Sequence, residues 1–232
     1  MIGPGHVALG KPNQDCWSSF HRSFCDGIVV SDGLGSKAHS HIGSAAACAA
    51  VERATFSAWL DDEESIDEGF LEKVGNYWLE GIAPFESKNA SATCLFAISY
   101  RGLLWLGMLG DGAAAAVKSN GDVILLEDDK STSFSNLTDS LSGAASTDNW
   151  RLACVPEDEC FAAVLCTDGI SDDIVGQDNM RNFMKSFAQT ASSMSLIWAA
   201  KEAKEMLEEW PTPKHTDDKT IACLLRRELR DG

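Results

Sequence analysis

The alternation of apolar and polar positions predicts short strands interrupted by two pairs of helices. Seven apolar runs of strand length are bounded by turn residues. These runs cover 24–31, 92–100, 103–109, 113–118, 122–126, 160–167 and 220–226. Arg101-Gly102 and Asn120-Gly121 each stand between consecutive runs and are typical of hairpin turns, so these strands are predicted to be antiparallel neighbours.

Helical periodicity occurs in four segments that form an early pair and a late pair. The early pair is the alanine-rich segment 43–60 and the segment 66–82, and the late pair is 178–188 and 195–210. Strands, a helix pair, more strands and a second helix pair predict an α+β fold built in layers.

The stretch 127–149 is rich in serine and threonine and shows no periodicity. Loops of this length are uncommon in compact domains and are often functional. We interpret it as a loop or flap over the surface, with local disorder as the alternative.

Length, composition and charge exclude several classes of protein. The 232 residues, 44% of them hydrophobic, predict one globular domain over 1–232. No leader and no long apolar segment is visible, and the eight cysteines stand singly, so we expect a cytoplasmic protein with reduced thiols. A net charge of -16 argues against nucleic acid or an anionic membrane as a partner, and a monomer is the default.

Acidic residues recur where predicted strands end. Asp32, Asp111 and Asp168 each follow an apolar run and precede glycine, and the acidic pair Asp217-Asp218 comes just before the last run. A single Asp-Gly pair is typical of a tight turn. As a set, however, strand ends can bring carboxylates to one point, as hard cations such as Mg²⁺ or Mn²⁺ require.

Five short motifs follow one another along the chain: Pro12-Asn13-Gln14-Asp15, Ser31-Asp32-Gly33-Leu34-Gly35-Ser36, Gly110-Asp111-Gly112, Cys166-Thr167-Asp168-Gly169-Ile170 and Asp217-Asp218-Lys219-Thr220. In the order of these motifs the chain resembles the protein phosphatase 2C family, the metal-dependent Ser/Thr protein phosphatases, in a compact bacterial form. The resemblance covers nearly the whole chain. It implies a four-layer α-β-β-α sandwich, in which a helix pair flanks each of two central antiparallel sheets.

The resemblance also implies a two-metal centre. Asp32 would bridge two divalent cations, Mn²⁺ or Mg²⁺, and the Gly33 carbonyl would bind one of them. Asp168 and Asp217 would complete the coordination of the other.

The implied reaction is hydrolysis of phosphoserine or phosphothreonine in phosphorylated proteins by a metal-activated water. Asp15 would hold a metal-bound water, and Asp111 would share a possible third cation with Asp168. Neither a nucleophilic side chain nor a phosphoenzyme is needed. A Ser/Thr kinase would act in opposition.

Two departures from the family pattern concern substrate binding and proton transfer. Gly10 stands where much of the family has a phosphate-binding arginine, so His6 or Lys11 is a candidate replacement. A surface lysine and a locally hydrogen-bonded histidine are the alternatives.

Leu34 stands where some relatives have a histidine that can protonate the leaving group. His39 and His41 lie nearby in sequence. Either histidine can reach the site and protonate the leaving group, or the two can only cap and solvate the following helix. Bulk water is itself a sufficient source of that proton.

Other functions fit the sequence less well. An aspartyl-phosphate phosphatase needs Asp-x-Asp after its first strand, and a two-metal nuclease usually offers basic surface. A catalytically weak or inactive phosphatase-like binding module is the main alternative, because the arginine is missing. The retained acidic residues argue against it, since clustered carboxylates are costly without a cation.

Overall fold

The computed structural model describes residues 1–127, 139–143, 147–211 and 216–226. The helices are α1 (Pro4–Leu9), α2 (Ser40–Leu60), α3 (Glu68–Gly81), α4 (Asp168–Ser171), α5 (Gln177–Ser192) and α6 (Leu196–Glu208). The strands are β1 (Asp15–Arg22), β2 (Cys25–Asp32), β3 (Cys94–Tyr100), β4 (Leu103–Leu109), β5 (Ala113–Lys118), β6 (Val123–Glu127), β7 (Arg151–Pro156), β8 (Cys160–Cys166) and β9 (Ile221–Leu225). Among these helices none has the length and apolar character needed to cross a bilayer.

The strands form two antiparallel sheets. Their orders are β1-β2-β3-β4-β7 and β6-β5-β8-β9. Both predicted hairpins are present, joining β3 to β4 and β5 to β6. Arg101 and Gly102 have φ values of 52° and 77°, as the tight turn between β3 and β4 requires.

Three apolar clusters separate four layers. One lies between the first sheet and α2 with α3, one between the two sheets, and one between the second sheet and α5 with α6. Neighbouring residues alternate between clusters: Val29 faces the first helix pair, whereas Ile28 and Val30 face the other sheet. The four-layer α-β-β-α sandwich is therefore confirmed. Burial on both faces explains why the central strands read as continuous apolar runs.

Small residues let α2 approach its neighbours closely. An added Cβ on Gly43 would lie 1.6 Å from the carbonyl oxygen of Ala90. The indole N–H of Trp78 donates to the carbonyl oxygen of Gly43 at 3.0 Å, which ties α3 to α2. The alanine-rich sequence of this helix is thus a requirement of packing.

Two strands were missed by the sequence pattern, and both lie at edges of the first sheet. β1 and β7 each pair on one side only. In β1, Trp17 is 63% exposed and Phe20 is 5% exposed, so the strand lacks the continuous apolar run of the central strands. The short helices α1 and α4 were also not predicted, since neither is long enough to show a period.

The predicted flap over 127–149 falls largely outside the described residues. Within it, Leu141 is buried and forms a two-way backbone pairing with Ala92, which also bridges to Gly33. The hydrogen bond from the Leu141 N–H to the Ala92 carbonyl measures 2.9 Å. This part of the loop therefore lies beside the residues that lead into β3, which separate it from the end of β2.

We expect Gly43→Ala to destabilise the protein by about 3 kcal/mol, because the new methyl group meets a backbone carbonyl that cannot move away. This outweighs the roughly 1 kcal/mol gained in helix propensity. Gly143→Ala is the control, since none of the described atoms outside its chain neighbours lies within 4 Å of its added Cβ. Thermal unfolding of both variants checks the prediction, and an unchanged Tm in Gly43→Ala would contradict it.

Candidate metal centre

The strand register gathers the acidic residues at one edge of the sandwich. In the first sheet Asp15, which begins β1, pairs with Asp32, which ends β2. In the second sheet Cys166, which ends β8, pairs with Ala113 and Ile221, which begin β5 and β9. The residues that follow β8 therefore lie beside those that precede β5 and β9.

Asp32 is held by backbone and side-chain contacts to the start of β3. Its N–H donates to Thr93 Oγ1 at 2.9 Å, and its carbonyl accepts from the Thr93 N–H at 2.8 Å. An added Cβ on the next residue, Gly33, would lie 2.5 Å from the carbonyl oxygen of Ser40. Only glycine allows this backbone to pass so close to the start of α2.

Thr167 joins the two sheets at the site. Its buried hydroxyl donates to Asp15 Oδ2 at 2.9 Å and accepts from the backbone N–H of Thr220 at 3.1 Å. Asp168 follows directly and begins α4. One hydroxyl thus connects the first sheet's Asp15 with the segments that carry Asp168 and Asp217.

Asp111 lies in the turn between β4 and β5, flanked by Gly110 at φ 99° and Gly112 at φ 111°. An added Cβ on Gly112 would lie 2.6 Å from the Cys166 carbonyl oxygen, so the turn touches the end of β8. The charge of Asp111 raises the pKa of Asp168. The turn therefore delivers a further carboxylate to the same edge.

Burial raises the pKa of three of these carboxyl groups, and repulsion within the group raises it further at Asp32 and Asp168. Burial raises the pKa of Asp15 to about 6. Burial, followed by the charges of Asp111 and Asp217, raises the pKa of Asp168 to about 8. Burial, followed by the charges of Asp15 and Asp168, holds the pKa of Asp32 well above its usual range. The five acidic side chains interact as one group, which a cation would stabilise in the ionised form.

Two oxygens in this group are suited to a cation or to a water molecule bound to one. Asp15 Oδ1 and Asp168 Oδ1 are buried and have no hydrogen-bond partner in the described part of the chain. A buried acceptor without a partner costs about 1–3 kcal/mol. Carboxylates with an adjacent backbone carbonyl are the oxygen ligands that Mg²⁺ and Mn²⁺ prefer, so the residues fit such ions.

A second group of possible metal ligands is less suited to bind a cation than the acidic group is. His6, Asp217 and Asp218 bring one ring nitrogen and two carboxylate oxygens within 4.8 Å of one another. Asp218, however, already accepts hydrogen bonds from the N–H groups of Gly3 and Gln14, each at 2.6 Å, and contacts His6 Nδ1 at 2.8 Å. Of the three side chains, Asp217 is therefore the better placed to face the acidic group.

Of the two predicted phosphate-binding residues, His6 lies within α1 and contacts Asp218, whereas Lys11 lies on the segment between α1 and β1. Gly10 caps the end of α1 with φ 64°, a left-handed conformation that disfavours the arginine of the family pattern. Lys11 is exposed, and its Nζ donates to the carbonyl oxygen of Gly35 at 3.4 Å, on the loop that follows Asp32.

His39, one of the two histidines considered as a proton donor, packs against Phe85 with the ring centres 4.2 Å apart.

Three supporting residues were not recognised from the sequence. Gln14, Thr167 and Asp218 are buried polar residues, each next to a predicted site residue within the quoted motifs. Their position in those motifs was the available signal. Their side-chain partners include the backbone N–H groups of Gly3, Gln14 and Thr220, which the fold brings together and which residue types alone do not reveal.

Stability without metal should fall as the pH rises from about 4 to about 8. Asp15 and Asp168 have pKa values of about 6 and about 8 in the folded protein, above the ordinary value, so in this window the folded chain binds more protons than the unfolded chain.

Mn²⁺ at about 100 times its Kd should add about 2.7 kcal/mol to the free energy of unfolding and raise the Tm by about 5–10 °C at pH 8.

Thermal unfolding at pH 5 and pH 8, with chelator and with Mn²⁺, provides the measurement. Asp168→Asn is the matched control, because it replaces the titrating carboxyl with a neutral amide and should flatten the pH dependence. Equal pH dependence in the variant and the wild type would contradict the prediction.

Comparisons with known proteins agree with this arrangement. A family model described as Protein phosphatase 2C matches residues 2–210. No curated protein shows significant sequence similarity to the chain.

Solved structures with the same fold include the photosystem II phosphatase PBCP, at TM-score 0.64 and 15% identity over 98% of this chain and 96% of that one. The SiaA-PP2C domain of Pseudomonas aeruginosa gives TM-score 0.62 at 15% identity, covering 98% of this chain and 85% of that one. RsbX in complex with magnesium gives 0.61 at 15% identity, covering 96% and 90%. At these identities the structures support the fold, while the family match covers most of the sequence. The chain belongs to the protein phosphatase 2C family.

Proposed function

We propose that the chain is a metal-dependent protein phosphatase that hydrolyses phosphoserine and phosphothreonine at a two-metal centre. The observation that carries this proposal is the convergence of five interacting carboxyl groups at one edge of the sandwich, two of which have buried oxygens without a hydrogen-bond partner among the described residues. Membership of the protein phosphatase 2C family supports it.

In this proposal the ligands come from both sheets. Asp32 and the Gly33 carbonyl would hold cations from the first sheet, and Asp168 and Asp217 would hold them from the second. Asp111 shares a possible third cation with Asp168, in agreement with the effect of its charge on the Asp168 pKa. Mn²⁺ and Mg²⁺ both fit this set of oxygen ligands.

Bound divalent cations would supply an activated water and would neutralise the phosphate charge. Asp15 supports the reaction by orienting that water. Its Oδ2 is fixed by the Thr167 hydroxyl at 2.9 Å, which leaves the buried Oδ1 to accept a hydrogen bond. Lys11, and His6 more weakly, would bind the substrate phosphate in place of the family's arginine.

The proposed substrates are phosphorylated proteins modified by an opposing Ser/Thr kinase. Family membership supports this class of substrate. We place the activity in the cytoplasm because all eight cysteines are free thiols, as expected in a reducing compartment.

One observation favours a second candidate function, a phosphatase-like module that binds without hydrolysis. Gly10 ends α1 in a left-handed conformation, so no side chain is available at the position of the family's phosphate-binding arginine. The two candidates differ in turnover, which a direct assay measures.

We expect Mn²⁺- or Mg²⁺-dependent hydrolysis of p-nitrophenyl phosphate and of a phosphothreonine peptide, abolished by chelator. Asp32→Ala and Asp168→Ala should each lower kcat/KM by about 1000-fold, corresponding to the several kcal/mol that a metal centre supplies. Asp178→Ala removes an exposed carboxylate at the start of α5 and should leave kcat/KM within about twofold. Folded wild-type protein that shows no turnover with either metal would exclude the enzyme and favour the binding module.

Lys11→Ala should raise KM about tenfold with little change in kcat, because loss of one charged contact to the phosphate corresponds to about 1.4 kcal/mol. Steady-state kinetics with the phosphothreonine peptide measures both constants. Lys201→Ala, which removes an exposed lysine of α6, is the control. An unchanged KM in Lys11→Ala would show that another group binds the phosphate.

A further inference from the structure

Asp218 is a buried carboxylate with three hydrogen-bond partners from the other end of the chain. Its side chain is 1% exposed. Oδ1 accepts from the Gly3 N–H at 2.6 Å, and Oδ2 accepts from the Gln14 N–H at 2.6 Å and lies 2.8 Å from His6 Nδ1. Both oxygens therefore act as acceptors, and the contact to His6 is satisfied when that ring carries its proton on Nδ1.

Gln14 is the most connected of these partners. Its carbonyl accepts from the Gly33 N–H at 3.1 Å and from Ser44 Oγ at 2.6 Å. Its side-chain Nε2 donates to Ser40 Oγ at 2.8 Å. The bond between Asp218 and Gln14 therefore connects the segment before β9 with β1, the end of β2 and the start of α2.

The bond crosses between the two halves of the acidic group. Asp15 follows Gln14 on the first sheet and is paired with Asp32, whereas Asp217 precedes Asp218 in the segment that leads to β9. The cluster between the sheets is apolar, and apolar contacts are non-directional. Directional contacts such as this bond, and the one from Thr167 to Asp15, set the separation of the two halves.

The chemistry at this position requires a carboxylate. An asparagine has the same shape but offers one acceptor oxygen and one NH₂ donor group. Whichever way it is oriented, the NH₂ group faces a backbone N–H of Gly3 or Gln14, and a buried donor then loses its partner.

We propose that Asp218 is a positioning residue of the metal centre, which fixes the segment of Asp217 against the segment of Asp15 without binding the cation itself. The inference rests on the proposed function in taking the acidic group around Asp32 and Asp168 as the metal site. Replacing a residue that orients metal ligands without touching the metal typically weakens metal affinity by about 10- to 100-fold.

The test is the Kd for Mn²⁺ measured by titration calorimetry in wild type, Asp218→Asn and two controls. Asp218→Asn should bind Mn²⁺ about 10- to 100-fold more weakly. Asp178→Asn removes the same charge from exposed α5, and Glu202→Gln removes it from exposed α6, so both should stay within about threefold of wild type. Thermal unfolding shows whether each variant is folded at the temperature of the titration.

Two further measurements do not depend on the folding of Asp218→Asn. Asp218→Glu keeps the charge and both acceptor oxygens, so its affinity for Mn²⁺ should lie between those of wild type and Asp218→Asn. If Asp218→Asn does not fold, Asp218→Glu should still bind Mn²⁺ more tightly than that variant does. The ¹⁵N spectrum of wild-type His6 should show a proton on Nδ1. A neutral ring protonated only on Nε2 would overturn the assigned hydrogen bond and the inference with it.

The outcomes separate this inference from the proposed function. Wild-type Mn²⁺ binding that is unchanged in folded Asp218→Asn would overturn the positioning role and leave the phosphatase proposal intact. Wild-type protein that binds no Mn²⁺ would overturn both.

Discussion

Repulsion between acidic side chains is the constraint on which the arrangement of this fold depends. Asp15, Asp32 and Asp168 are held close together where burial already opposes their ionisation. Isolated side chains on mobile loops would move apart, because each unit of raised pKa corresponds to about 1.4 kcal/mol. Here the carboxylates stand at the ends of paired strands, and Thr93 and Thr167 hold the adjoining backbone or side chains. The rigidity of two packed sheets keeps the group assembled.

The layered architecture follows largely from sequence, because strands buried on both faces read as continuous apolar runs. β4 and β5 have the predicted bounds, and the late helix pair differs from prediction by a few residues at its ends. The edge strand β1 escaped prediction because only part of it is buried. The acidic residues at strand ends could be predicted as candidate ligands because they directly follow such apolar runs. The supporting role of Asp218 was not predicted, because two of its three partners are backbone N–H groups, which every residue except proline carries.

The end of α1 explains a departure from the family pattern in physical terms. Gly10 adopts φ 64°, and its N–H bonds back to the carbonyl of Val7, so the short helix closes there. A residue with a Cβ would be strained at this position. The cation that this position commonly supplies in the family therefore has to come from elsewhere. Lys11, the next residue, lies against the loop that follows Asp32.

The hydrogen bond between Gly3 and Asp218 spans 215 positions of sequence, and that between Gln14 and Asp218 spans 204. Contacts so distant along the chain close very long loops, which costs entropy before any contact compensates for it. The acidic edge thus takes shape only after synthesis has passed Asp218. Affinity for a divalent ion is then a property of the finished fold, and a partly made or misfolded chain would lack it.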